Sequence, residues 1–402
     1  MKFYIIAMAA LGKGLSGSDR IFIELARNLQ SRGYQIAIYL WEDGLRMCKS
    51  QMLEGLSINY RVSGMYPWKH FGFFVNYLAR IVEGIRIALT VKMENSDNTV
   101  LYSASEFWMD SVPAFILKLR FPKAIWAAAW FQTAPNPILG FTNGKRQTTY
   151  RLSALCYYLM QLPVKPLIEK FADFVLINNE EERNQFPKLN KQNKVLILLG
   201  AVNVSKIKKW IRENGTNKPK NYDAVFQGRF HPQKGVVELI EIWKLVTKKL
   251  PEAKLAMIGD GPLMKDVQAK IDRLDLGDNV KLLGYVFDGP EKYNIFSKSK
   301  IVLHPAFYDS GGMAAAEAMA FGLPGVSFDL SSLKSYYPQG MLKVRVGNLE
   351  DFAAEIIRLL TNQSLYNKLS NQAIALIGSE WNWENRTDQF IKKLGEIKNE
   401  KS

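Results

Sequence analysis

The sequence predicts an α/β protein built of two halves, and three observations lead there. Short apolar runs of strand length alternate with segments whose apolar residues repeat at helical spacing, the rhythm of parallel sheets covered by helices. The rhythm stops at Arg212 to Asn221, RENGTNKPKN, which holds Gly and Pro and has no apolar period, and then restarts. The 402 residues, 48% of them hydrophobic, suffice for two cores with a cleft between them and exclude a disordered or fibrous chain.

In the first half, Lys2 to Ala10 reads as a buried strand. Ala7 and Ala9 imitate the A-x-A spacing of a short signal peptide, but the strand is the better reading. Gly12-x-Gly14-x-x-Gly17 follows, then a helix from about Ser18 to Arg32 with Ile21, Phe22, Leu25 and Leu29 on one face, stopped by Gly33. A second strand, Gln35 to Trp41, ends in Glu42-Asp43. Alone, this stretch resembles a dinucleotide-binding fingerprint and keeps an NAD-dependent nucleotide-sugar oxidoreductase or epimerase open as an alternative. A plainer role for Gly12, Gly14 and Gly17 is a loop whose backbone faces the cleft.

Met65 to Met93 interleaves Tyr66, Trp68, Phe71, Phe73, Phe74 and Tyr77 with Lys69, Arg80, Arg86 and Lys92, an apolar face with a basic rim suited to an anionic bilayer surface. Lys145 to Lys170 is a second basic and aromatic stretch. Thr99 to Ser103 and Ala124 to Trp130 read as buried strands followed by polar residues, so Ser105, Glu106, Asp110, Gln132 and Thr133 are acceptor-side candidates. Phe174 to Ile177 and Val195 to Leu199 complete the strands of this half.

The second half runs as strand Ala224 to Phe226, helix Val236 to Leu250, strand Leu255 to Ile258, helix Leu263 to Leu274, strand Val280 to Leu283, helix Glu291 to Ser297 and strand Ile301 to Leu303. Next comes YDSGGMAAAEAMAFGLP, Tyr308 to Pro324, a glycine turn into a string of helix formers that Gly322 and Pro324 end. Backbone N–H groups at such a helix start favour a phosphate, and Gly311 and Gly312 allow it close. Asp309 and Glu317 place carboxylates on either side, able to accept hydrogen bonds from sugar hydroxyls. Glycines also punctuate the strand ends at Gly228, Gly259, Gly261 and Gly284, where ligands of open parallel sheets sit. Arg229 and Lys234, five positions apart, can aim two cations at that crevice.

The formal charge of +15 calls for an acidic partner: nucleic acid, an anionic membrane or a phosphorylated substrate. No nucleic-acid module is visible. Cys48 and Cys156, with His70, His231 and His304, show no zinc spacing, and two unpaired cysteines fit a reducing compartment. Arg80, Glu83 and Arg86 interrupt the best membrane-span candidate, so the protein is expected to be cytoplasmic and peripheral on the inner face of the membrane.

Gly228-Arg229-Phe-His-Pro-Gln-Lys234-Gly235, Gly259-Asp-Gly-Pro262, Leu283-Gly284-Tyr285 and Asp309-x7-Glu317-Ala-Met-Ala, in this order, resemble the retaining glycosyltransferases of the GT-B fold, family 4. The resemblance covers nearly the whole second half and less of the first, where Gly14 to Gly17, Phe171 to Phe174 and Gly200 to Asn203 fit the outline. It implies two Rossmann-like domains, 1–205 on the acceptor side and 206–378 binding the nucleotide sugar, with 379–402 a terminal helix crossing back to the first. It implies that Arg229 and Lys234 hold the donor diphosphate, that Asp309, Ser310, Gly311, Gly312 and Met313 contact the transferred sugar and its phosphate, that Glu317 takes the ribose hydroxyls, and that Tyr285 and Val286 border the base. Gly14, Gly17, Gly228 and Gly259 would line the donor, with Asp309, Arg229 and Lys234 as the catalytic set. No metal or other cofactor is expected; the partners are a nucleotide-sugar donor, a glycan or lipid-linked acceptor and an anionic membrane surface. The expected reaction is hexosyl transfer in surface polysaccharide or glycolipid synthesis. Two departures stand out: Asp309 where Glu is common, and AAAWFQT (Ala127 to Thr133) where many members have a histidine, so that Gln132 becomes the neutral hydrogen-bonder there. They leave a non-catalytic nucleotide-sugar-binding relative as a further alternative.

Overall fold

The computed structural model describes residues 1–10, 15–64, 71–141, 146, 148–215 and 219–401. The chain divides into two units: Met1–Ala134 with Cys156–Gly200 and Trp383–Ser402, and Pro135–Leu155 with Ala201–Asn382.

The first unit holds strands β1 (Lys2–Ile6), β2 (Gln35–Trp41), β3 (Ile58–Ser63), β4 (Thr99–Ser103), β5 (Ile125–Ala129), β6 (Phe174–Ile177) and β7 (Val195–Ile197). All pair in parallel in the order β3-β2-β1-β4-β5-β6-β7. Every residue of β4, β5 and β6 is buried, as expected of strands covered on both faces. Helix Gly17–Ser31 starts where its chemistry dictates: Ser16 Oγ accepts the Asp19 N–H at 3.2 Å while Asp19 Oδ2 accepts the Ser16 N–H at 2.9 Å, a reciprocal cap. Gly12 and Gly14 lie outside the described residues. Glu42 and Asp43, the acids of the dinucleotide alternative, instead open helix Glu42–Ser50, and Asp43 pairs with Arg46 and Arg80.

Helix Trp383–Lys401 completes this unit, with Phe390 fully buried and its ring 6.3, 6.0 and 6.0 Å from those of Phe3, Tyr102 and Phe174. Lys401 pairs with Asp173 at 2.6 Å and Arg32 with Asp388 at 2.8 Å.

The second unit holds β8 (Tyr222–Gln227), β9 (Leu255–Ile258), β10 (Val280–Leu282), β11 (Ser299–His304), β12 (Gly325–Phe328) and β13 (Met341–Val344), all parallel, in the order β10-β9-β8-β11-β12-β13. Strand order reverses between β8 and β11, and the crevice beyond such a switch point is where doubly wound sheets bind ligands. The expected boundaries, 1–205, 206–378 and 379–402, miss one excursion: Pro135–Leu155, between β5 and the rest of the first unit, packs with the second. Its anchor is Arg146, whose guanidinium bonds Glu238 at 2.6 and 3.3 Å and stacks over the rings of Tyr150 and Phe307. The basic stretch that contains Arg146 is therefore partly interior rather than a surface.

Candidate active site

The second unit gathers its predicted residues at the carboxyl ends of β8, β9, β10 and β11. Backbone bonds tie the loops together: Gly259 N–H to Gly284 O at 2.8 Å, Phe230 N–H to Asp260 O at 2.8 Å, and Phe307 N–H to Gln233 O at 2.9 Å. Two of these approaches demand glycine. A Cβ on Gly259 would sit 1.9 Å from the Gly228 carbonyl oxygen, and one on Gly235 would sit 2.0 Å from that of Pro305; both residues have positive φ. The second contact brings Lys234 beside Asp309.

Asp309 is the hub. Its Oδ1 accepts the N–H groups of Ser310 at 2.8 Å and of Gly311 and Gly312 at 3.3 Å. Its Oδ2 accepts Lys234 Nζ at 2.6 Å and lies 2.9 Å from His304 Nε2. Burial alone would raise the Asp309 pKa, but the Lys234 ammonium and the His304 ring override it and hold the carboxyl well below the usual carboxylate range. The carboxylate thus takes the three N–H groups of the turn ahead of helix Met313–Met319, Asp being short enough to fold back on the turn it precedes. His231 is pushed down to about 3 by burial and by the cations Arg229, Lys234 and Arg146 around it, so it is a neutral ring in a positive setting. Phe141 meets it edge-on at 5.5 Å.

Glu317 is buried at the other end of the site, its Oε2 accepting Lys292 Nζ at 2.6 Å and Gln227 Nε2 at 3.0 Å. Arg229 is exposed, Val286 is buried, and Tyr285 stands edge-on to Phe287 at 4.9 Å. Gly228, Gly259, Tyr285, Val286, Ser310, Gly311, Gly312 and Met313 thus share one rim with Arg229, Lys234, Asp309 and Glu317. Sequence reading missed the roles of Lys292, His304 and Gln227: Lys292 and Gln227 meet Glu317 from elements 25 and 90 positions away, and His304 meets Asp309 across the turn that follows its strand.

The first unit holds Gly17, as the first residue of its helix, and the acceptor-side candidates. The Tyr157 hydroxyl lies 3.1 Å from Glu106 Oε1 and 3.3 Å from the main-chain carbonyl oxygen of Gln132, so it stands between the Glu106 side chain and the Gln132 backbone. Burial pushes Glu106 up to about 7 against the hydrogen bonds from Phe131 N–H and Tyr157, and pushes Asp110 up to about 7 although Ser105 and the Ala9 N–H bond it. Burial also raises Glu182, which accepts the Thr133 N–H at 2.9 Å. This is a cluster of carboxyl groups at the ends of β4, β5 and β6.

The segments after the two strands that flank the switch point thus carry Arg229, Lys234, Asp309 and Glu317, and comparison with known proteins points to a class. Residues 206–376 match the family model of the Glycosyl transferases group 1. Poly(glycerol-phosphate) alpha-glucosyltransferase of Bacillus subtilis is 29% identical over 161 residues, 39% of this chain and 23% of that one. A TarM mutant of Staphylococcus aureus, in complex with fondaparinux, alpha-GlcNAc-glycerol and UDP, has a TM-score of 0.72 at 13% identity, covering 98% of this chain and 99% of that one. HepE of Anabaena, in complex with UDP and glucose, has a TM-score of 0.69 at 16% identity, covering 98% and 100%. The chain spans less than half the length of the curated relatives it matches first. The fold is therefore that of the GT-B glycosyltransferases. Within the second unit, residues 206–376 are similar to the glycosyl transferases of group 1.

Proposed function

We propose that this protein is a retaining hexosyltransferase of family 4 that takes its sugar from a nucleotide-diphosphate donor and passes it to a glycan or lipid-linked acceptor in cell-surface polymer or glycolipid synthesis. The observation that carries this reading is the grouping of Arg229, Lys234, Asp309 and Glu317 at the ends of β8 and β11, inside the group 1 domain. Two structural neighbours are complexes with UDP, one of them with glucose as well.

In this reading Arg229 and Lys234 neutralise the charge that grows on the departing diphosphate, a stabilisation aimed at the transition state and needing no metal. Asp309 orients Lys234 and shapes the turn on which the transferred sugar rests. Glu317 takes the ribose hydroxyls, and Tyr285 and Val286 border the base. Glu106 and Gln132 serve the acceptor hydroxyl, Glu106 as a carboxyl that titrates near neutrality. The acceptor lies at an anionic membrane surface on the cytoplasmic face, a reading supported by the exposed aromatic and aliphatic side chains of helix Gly72–Thr90. Among the described residues no helix is long and apolar enough to cross a membrane.

The test is a thermal-shift panel of UDP, GDP and ADP and their hexose conjugates, followed by sugar release from whichever conjugate binds. A rise in melting temperature with one diphosphate and its sugar supports the donor role. No shift with any of them refutes it.

A further inference from the structure

Helix Pro290–Ser297 carries a lysine where its inward face calls for an apolar residue. Lys292 is 1% exposed, close in burial to Phe296 on the next turn. Its Nζ bonds Glu317 Oε2 at 2.6 Å and also pairs with Asp288, and Gln227 at the end of β8 donates to the same Glu317 oxygen at 3.0 Å. A buried ammonium is costly unless paired, and a buried carboxylate equally so. Here each offsets the other, and two donors from different elements converge on one oxygen, which fixes the plane of the carboxylate. Nothing in packing alone requires this: a leucine would fill the place without any charge.

We propose that Lys292 is the positioning residue for ribose recognition. It holds Glu317 in one orientation, as an acceptor for the vicinal hydroxyls of the nucleoside diphosphate. The inference rests on the donor reading above and adds to it a residue that touches no substrate. Without the lysine, Glu317 is free to turn away, and the preference for a ribose over a deoxyribose is lost while the phosphate grip of Arg229 and Lys234 remains.

Titration calorimetry with UDP, GDP and ADP against their 2′-deoxy and 3′-deoxy counterparts tests it. The wild-type protein should prefer one ribonucleotide over its deoxy forms by about tenfold or more, the scale of a hydrogen bond to a charged group. In K292M that ratio should fall to about one, with the deoxy affinities within about twofold of wild type, and K292R should restore part of the ratio. If K292M does not fold, K292Q, which retains a neutral donor, supplies the same reading. A variant that keeps the wild-type ratio overturns the role of Lys292. A wild-type protein indifferent to the hydroxyls overturns it too, while leaving the donor reading standing; one that binds none of the three diphosphates overturns both.

Discussion

Asp309 and Lys234 act as a pair, and the consequences of breaking it are asymmetric. K234A leaves Asp309 buried beside His304 without its ammonium, which costs about 3 kcal/mol or more of stability, whereas Arg229 is exposed and R229A should leave the melting temperature nearly unchanged. Both should weaken diphosphate binding by about tenfold, read by calorimetry. The folded-state pKa of Asp309 lies below its unfolded value, so its contribution to stability is present above about pH 4 and is lost as pH falls further. The stability difference between wild type and D309N, followed by chemical denaturation, should accordingly be largest at pH 7 and shrink below about pH 4. Glu106 has the opposite sign. Its pKa is raised from 4.5 to about 7, so the stability it contributes is full below about pH 4.5 and falls as pH rises through 7. E106Q should gain melting temperature relative to wild type at pH 8 compared with pH 5. At this scale the sequence revealed residues that belong to spaced motifs, such as Arg229, Lys234 and Glu317. It concealed His304 and Lys292, whose significance lies in neighbours at separations of 5 and 25 positions that only the fold brings into contact.

Among the elements, helix Gly72–Thr90 departs most from a soluble pattern. One side packs on helix Trp108–Arg120, while Phe73, Phe74, Leu78 and Val82 are 54, 66, 58 and 66% exposed. Arg80, expected on the basic rim, is instead buried and donates to the carbonyl oxygens of Met8 at 2.7 Å and Ala10 at 3.1 Å, so the rim is Arg86 and Lys92; Tyr66, Trp68 and Lys69 lie outside the described residues. The triple variant F73S/F74S/L78S should float less with phosphatidylglycerol vesicles, with its circular dichroism unchanged; equal flotation counts against the membrane reading. The buried strands were readable because an unbroken apolar run has few alternatives in this rhythm. β3 and β13 were not, since β3 contains Asn59 and Arg61 with most of its residues partly or fully exposed, and β13 carries Lys343 with its two middle residues only half-buried. In helix Trp383–Lys401, F390A removes a ring fully buried against Phe3, Tyr102 and Phe174 and should cost about 3–5 kcal/mol by denaturant titration.

Over the whole molecule, the proposed donor-site residues apart from Gly14 and Gly17 belong to the second unit, so binding a nucleoside diphosphate should protect backbone amides unevenly. Hydrogen exchange is expected to slow at 227–235, 259–263, 284–289 and 309–317, with little change in β1 to β7; protection confined to the first unit would contradict the site. The duplicated sheet topology was evident from the repeated rhythm, but the excursion of Pro135–Leu155 was not, because aromatic and basic side chains read alike whether they face lipid or a neighbouring loop.

That excursion and the final helix mean that neither unit is a continuous run of sequence. During synthesis the first sheet emerges early yet lacks the helix that shields Phe3 and Phe174 until the chain has grown past Trp383, so its exposed face must wait, open to chaperones or to aggregation. A fragment stopped at Asn382 should therefore reach the soluble fraction poorly.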